Sequence, residues 1–173
     1  MASAPHDTDH HARAGPRGPA GRRRPQPPVG RPERRPGAAV GGVDLLHHGA
    51  DIANPLGTPL FAPADGTVVF AGPDDTVAVG PTTDFFGLPV VIELDRQYNG
   101  QSVYLLLGHL QNAYVKPGQR VTRGQRIGEV GMSGVALGPH VHVEVRVGVN
   151  DYDHTRNSEF WLEPLPGHGT VAG

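Results

Sequence analysis

The sequence predicts an all-β, mainly antiparallel domain, and three observations predict it. Glycine and proline, 25 and 18 of 173 residues, punctuate the chain too densely for long helices and favour turns between short strands. Short apolar or alternating runs recur between those turns from about residue 42 onward. No window sustains a 3.6-residue apolar period.

The elements follow in chain order. Residues 1–41 are rich in Arg, Pro, Gly and Ala, with Val29 almost the only sizeable aliphatic before Val40. Such a segment cannot bury enough apolar surface to offset its ordering entropy, so it reads as a disordered tail. The folded domain is expected over 42–165, with a flexible end over 166–173. Pro59 to Ala62 reads as a strand, then a turn at Pro63-Ala64-Asp65-Gly66, then a strand from Thr67 to Ala71. Leu88 to Leu94 and Ser102 to Leu107 read as two more, joined near Asn99-Gly100, a strong hairpin signal. Tyr114-Val115 and Val121 flank the turn Lys116-Pro117-Gly118-Gln119. Arg126 to Val130 and Val141 to Val147 complete the set.

Composition narrows the chemistry. The chain has no cysteine, so any metal must rest on nitrogen and oxygen ligands. No apolar run approaches the roughly 20 residues of a membrane-spanning helix. Residues 1–40 hold eight arginines against Asp7, Asp9 and Glu33, while the remainder holds seven basic and fourteen acidic residues. The folded part is therefore acidic, and nucleic acid is not an expected partner; only Arg22-Arg23-Arg24 and Arg34-Arg35 offer an anion anything. The tail is not a secretory signal either, because its arginines are followed by Pro-Gln-Pro-Pro rather than an apolar stretch.

The residues that can do chemistry are histidines and one aspartate. In the last long strand Val141, Val143, Val145 and Val147 share one face, and His142, Glu144 and Arg146 the other. His140 lies two before His142, so both imidazoles project from the same side. His47 and Asp51 would sit about 13 Å apart at Cα if extended. The chain must bend between them, and Gly49 is the residue able to bend and leave room. His48 then faces away. His47, Asp51 and one of the pair His140 and His142 make a three-ligand set suited to zinc, with a position left for water and the other histidine beside it. His109 follows the apolar run Tyr104 to Gly108; taken alone it reads as a core or turn histidine. Glu144 shares the face of His142 and reads either as a support behind the metal-binding residues or as a plain solvated carboxylate, the second being preferred.

These motifs carry a resemblance. His47-His48-Gly49-Ala50-Asp51 followed by Asn54 to Val69, then Leu107-Gly108-His109-Leu110, Val115 to Val121 with Gly124 to Gly128, and Gly138-Pro139-His140-Val141-His142-Val143-Glu144 together resemble the lysostaphin/LytM-type zinc metalloendopeptidases, metallopeptidase family twenty-three. The resemblance covers residues 43 to 147, and Thr155 to Leu162 is similar to an extension found in some members. It implies a compact β-sheet groove domain, related to duplicated hybrid and barrel-sandwich motifs. It implies one Zn2+ per chain, held by His47, Asp51 and His142, with His140 and His109 as catalytic histidines. His140 is the first choice to deprotonate the water; His109 would orient it or stabilise the oxyanion, and the two roles could be exchanged. The implied substrate is bacterial peptidoglycan, cut in its stem peptides or cross-bridges outside the cytoplasm; the chain itself is expected to be a monomer. Two features depart from the family. Ala38 to Gly42 is glycine-rich where members carry a structured strand, and an export signal is not visible. A misplaced start, a truncated fragment or an unusual export route would account for both.

Two other readings compete. A non-catalytic LytM-like module would bind the cell wall or regulate other hydrolases, but such modules lose metal ligands, and all are present here. A lipoyl-type carrier needs a lysine on a hairpin tip; the sole lysine, Lys116, is followed by proline.

Overall fold

The structure is a computed structural model that describes residues 47–163. The tail expected over 1–41, including Ala38 to Gly42, and the flexible end expected over 166–173 lie outside the described residues. Ten strands appear: β1 (Ala50–Ala53), β2 (Pro59–Phe61), β3 (Gly66–Ala71), β4 (Val90–Leu94), β5 (Val103–Gly108), β6 (Leu110–Ala113), β7 (Arg120–Val121), β8 (Arg126–Val130), β9 (His140–Val147) and β10 (Thr155–Arg156). Two 3-10 turns, Tyr152–His154 and Ser158–Phe160, are the only helical elements among the described residues. None is long and apolar enough to cross a membrane.

All named strand pairs are antiparallel. The larger sheet runs β1-β9-β5-β4-β3-β7, with β10 also on β9, and the smaller runs β2-β8-β6. The expected hairpin is present: Tyr98 and Gln101 exchange backbone hydrogen bonds of 2.9 Å. Asn99 and Gly100 between them have φ of 50° and 75°, as a type I′ turn requires. Strands β1, β6 and β10 are additions to the sequence reading; each has four residues or fewer, too short to show a period.

The main core lies where Val68, Ile92, Leu105, Leu107, Val141, Val143 and Val145 of the larger sheet meet Leu110, Ile127 and Val130. The other face of the larger sheet is covered too. There Phe86, Val91 and Leu106 form a second buried cluster, joined by Phe70, Val79, Phe85, Tyr104 and Tyr152. Phe86 and Val79 belong to the connection 72–89, which Asp74 ties down. Asp74 Oδ2 accepts from Phe86 N at 2.9 Å, its N–H donates to Gly87 O at 3.0 Å, and its carbonyl accepts from Asp84 N at 2.9 Å. Strand β9 is therefore buried on both faces, and this corrects one expectation. Glu144 is not solvated but 0% exposed.

Candidate active site

Four elements converge on one spot. Strand β1 pairs with β9 so that Asp51 lies opposite His142 and Ala53 opposite His140. Directly opposed residues point to the same face, so Asp51 and His142 meet: Asp51 Oδ1 is 2.8 Å from His142 Nδ1. The chain bends before β1, which brings His47 Nε2 to 3.0 Å from the same oxygen. One ligand atom from each of His47, Asp51 and His142 lies within 4.8 Å of the other two. Two imidazoles and a carboxylate at that spacing fit a zinc ion's preference for three N/O ligands plus an open position.

The chain bends at Gly49 as expected, and close packing adds a second demand for glycine there. A Cβ there would lie 2.5 Å from Val143 O and 2.6 Å from the His142 ring. That second demand is close approach to β9 rather than an unusual φ. His48 points away, as expected: its ring stacks on Tyr152 at 4.0 Å, and its Nδ1 lies 3.0 Å from Tyr152 O and 2.9 Å from Thr155 Oγ1. Segment 152–155 thus clamps the residue beside His47. Burial pushes the Tyr152 phenol up to about 12. In the unfolded chain it ionises near 10. Between about pH 10 and 12 the unfolded state sheds a proton that the folded state keeps, so stability falls as pH rises through that window. Thermal melts at pH 7 and 11 are expected to show this loss, and Tyr152→Phe to reduce it.

His109 stands at the corner where β5 of one sheet gives way to β6 of the other, with φ of 65°. Left-handed backbone is uncommon outside glycine, though histidine is among the residues that tolerate it. Its N–H donates to Phe86 O at 2.9 Å, and its Nδ1 faces Ser133 O at 2.8 Å. His140 has the same arrangement: its Nδ1 faces Gly138 O at 2.8 Å. A carbonyl can only accept, so each Nδ1 carries the hydrogen and each neutral ring keeps a lone pair at Nε2. The His140 Nε2 lies 3.6 Å from Asp51 Oδ1. The His109 ring is 4.7 Å from that of His140 and 5.8 Å from that of His142. All five residues singled out in the sequence therefore share one site.

Electrostatics agree with that geometry. Partial burial raises the Asp51 carboxyl, but hydrogen bonds and charge from His142 and His47 outweigh it and hold it well below the usual carboxylate range. Burial pushes His109 down to about 4 against the opposing hydrogen bond to Ser133. Behind His142 stands Glu144, where the less favoured sequence reading put it, together with Arg146, to which the sequence reading gave no role. Glu144 Oε1 is 3.2 Å from His142 Nε2, and Arg146 binds the same carboxylate. The spacing His-x-Glu-x-Arg on one strand face was the available signal.

The sequence pattern of Peptidase family M23 matches residues 45–154. The peptidoglycan DD-endopeptidase ShyA of Vibrio cholerae is 40% identical over 101 residues, which are 58% of this chain and 20% of ShyA. The DD-carboxypeptidase/endopeptidase Mpg of Neisseria meningitidis is 38% identical over 102 residues, 59% of this chain and 20% of Mpg. The chain thus spans about a fifth of the length of these curated relatives. Among solved structures, the catalytic domain of lysostaphin from Staphylococcus simulans shares the fold with a TM-score of 0.59 at 24% identity, over 70% of this chain and 81% of that one. A zinc-containing peptidase from Vibrio cholerae aligns with a TM-score of 0.53 at 32% identity, over 68% of this chain and 32% of that one.

Proposed function

This chain belongs to peptidase family M23, and from that premise we propose that residues 42–165 form a zinc metalloendopeptidase that hydrolyses peptide bonds of bacterial peptidoglycan, outside the cytoplasm and as a monomer. One observation carries the reading: two imidazole nitrogens and a carboxylate oxygen converge within 4.8 Å beside two further histidines. The names of ShyA and Mpg support the substrate class.

His47, Asp51 and His142 would hold the ion. Bound there, zinc supplies Lewis acidity that polarises the scissile carbonyl and acidifies the attacking water. The remaining work falls to the protein. His140 presents an Nε2 lone pair and takes the proton of the attacking water. That Nε2 lies 3.6 Å from Asp51 Oδ1. It then returns a proton to the departing amine, so the histidine ends as it began. His109, held down to about 4, is a poor proton acceptor at neutral pH. Its Nε2 lone pair suits it to orienting the water as a hydrogen-bond acceptor. With its hydrogen committed to Ser133 O, it has none to offer an oxyanion. Orientation of the water, rather than oxyanion stabilisation, is therefore the role we assign to it.

The test is digestion of purified peptidoglycan and a pentaglycine peptide, with zinc content measured in parallel. Wild type is expected to carry about one zinc per chain and release new amine ends. His140→Ala and His109→Ala are each expected to keep the zinc and lose about 10²- to 10⁴-fold in rate. Wild type without zinc would leave a non-catalytic binding module.

A further inference from the structure

Beyond His142, strand β9 carries Glu144 and Arg146, two charged residues each 0% exposed. Desolvating a charged pair commonly costs more than an apolar pair of the same volume would. Their neighbourhood is apolar, since Phe86, Val91 and Leu106 fill the adjoining cluster. Packing alone therefore gives no reason for them.

Their contacts do give one. Glu144 Oε2 accepts from Arg146 Nε at 2.9 Å and from Nη2 at 2.7 Å, while Oε1 lies 3.2 Å from His142 Nε2. Arg146 also donates from Nη1 to Asn150 Oδ1 at 3.1 Å and from Nη2 to Val79 O at 2.9 Å. The guanidinium is thereby fixed to β9, to the turn after it and to the connection 72–89. A carboxylate accepts and does not donate, so the hydrogen between Glu144 and His142 belongs to Nε2. The opposite nitrogen, Nδ1, lies 2.8 Å from Asp51 Oδ1, another acceptor, so without the metal it also holds a hydrogen, one that metal binding would displace. We propose that Glu144, aimed by Arg146, is a positioning residue that fixes the His142 ring with its Nδ1 lone pair toward the metal. Arg146 extends the same control to the connection that carries Phe86, whose ring lies 5.1 Å from that of His142. The inference rests on the metal-ligand assignment above.

The experiment measures zinc affinity by chelator competition and records ¹⁵N spectra of the histidine side chains in the zinc-loaded protein. It compares wild type, Glu144→Gln, and the double variant Glu144→Leu with Arg146→Met. The double variant leaves no unpaired buried charge, so it isolates the positioning role from misfolding. Both variants are expected to bind zinc about 10- to 100-fold more weakly, a range usual for groups that orient a ligand. Their spectra should show a His142 ring no longer held with hydrogen on Nε2 and metal on Nδ1. A folded double variant with wild-type zinc affinity and unchanged His142 signals would overturn the proposal. If the double variant does not fold, Glu144→Gln decides by the same two readouts. Wild type that binds no zinc would overturn the metal-site reading itself, a different failure.

Discussion

Asp51→Ala is expected to abolish stoichiometric zinc binding and to lower peptide hydrolysis by at least about a thousandfold, on the order of 4 kcal/mol of barrier. The reason is its place at the junction of the site. Its Oδ1 lies 3.0 Å from His47 Nε2, 2.8 Å from His142 Nδ1 and 3.6 Å from His140 Nε2. Removing it takes away one of the three proposed ligands and the carboxylate that faces His140. Asp51→Asn keeps the shape and loses the charge, so it is expected to fail nearly as badly. The fold should survive both changes, since the Asp51 side chain is 45% exposed on a strand at the sheet edge. Metal analysis, chelator competition and circular dichroism check each part. An Asp51→Ala protein that kept one zinc per chain would place the metal elsewhere.

Gly49→Ala should be almost as damaging, by a different route. The added methyl would meet a backbone carbonyl, Val143 O, at 2.5 Å and His142 Nε2 and Cε1 at 2.6 and 2.7 Å. The carbonyl cannot swing aside as a flexible side chain can. Either β1 moves off β9 or the His142 ring rotates, and both separate the ligand atoms. Overpacking of this kind costs about 1–3 kcal/mol, read as a lower urea midpoint for the metal-free protein, together with weaker zinc binding. Gly118 offers the contrast, because its φ is +82° yet nothing lies within 4 Å of an added Cβ. Gly118→Ala should lose about 1–2 kcal/mol from left-handed strain and leave zinc affinity unchanged. Equal losses of zinc affinity in the two variants would count against the close-approach argument.

Local pattern carried far in this chain. Alternation placed Val141 to Val147 in one strand and put His140 and His142 on one side of it, because side-chain period in a strand is a local property. Asn99-Gly100 marked its hairpin for the same reason: two residues that accept positive φ suffice. The absence of cysteine settled the kind of ligand, and the count between His47 and Asp51 showed that the chain must bend. Those are statements about neighbours in sequence, and they were legible.

Burial was not. Alternation tells which face Glu144 occupies but not what lies over that face. The cover comes from the connection 72–89, which has no period and is held by Asp74 through hydrogen bonds to Asp84, Phe86 and Gly87. Likewise the clamp of residues 152–155 on His48 joins positions more than a hundred apart. The sequence by itself determined most of the strand architecture, the kinds of donor atom on offer and the five candidate residues that the fold brings together. Only the tertiary structure decided that Asp51 bridges three histidines, that Gly49 is needed for close approach, and that a buried Glu144–Arg146 pair stands behind His142. The physical reason is range: backbone period and turn preference act over a few residues, whereas desolvation and hydrogen-bond closure depend on which distant segments the fold brings together.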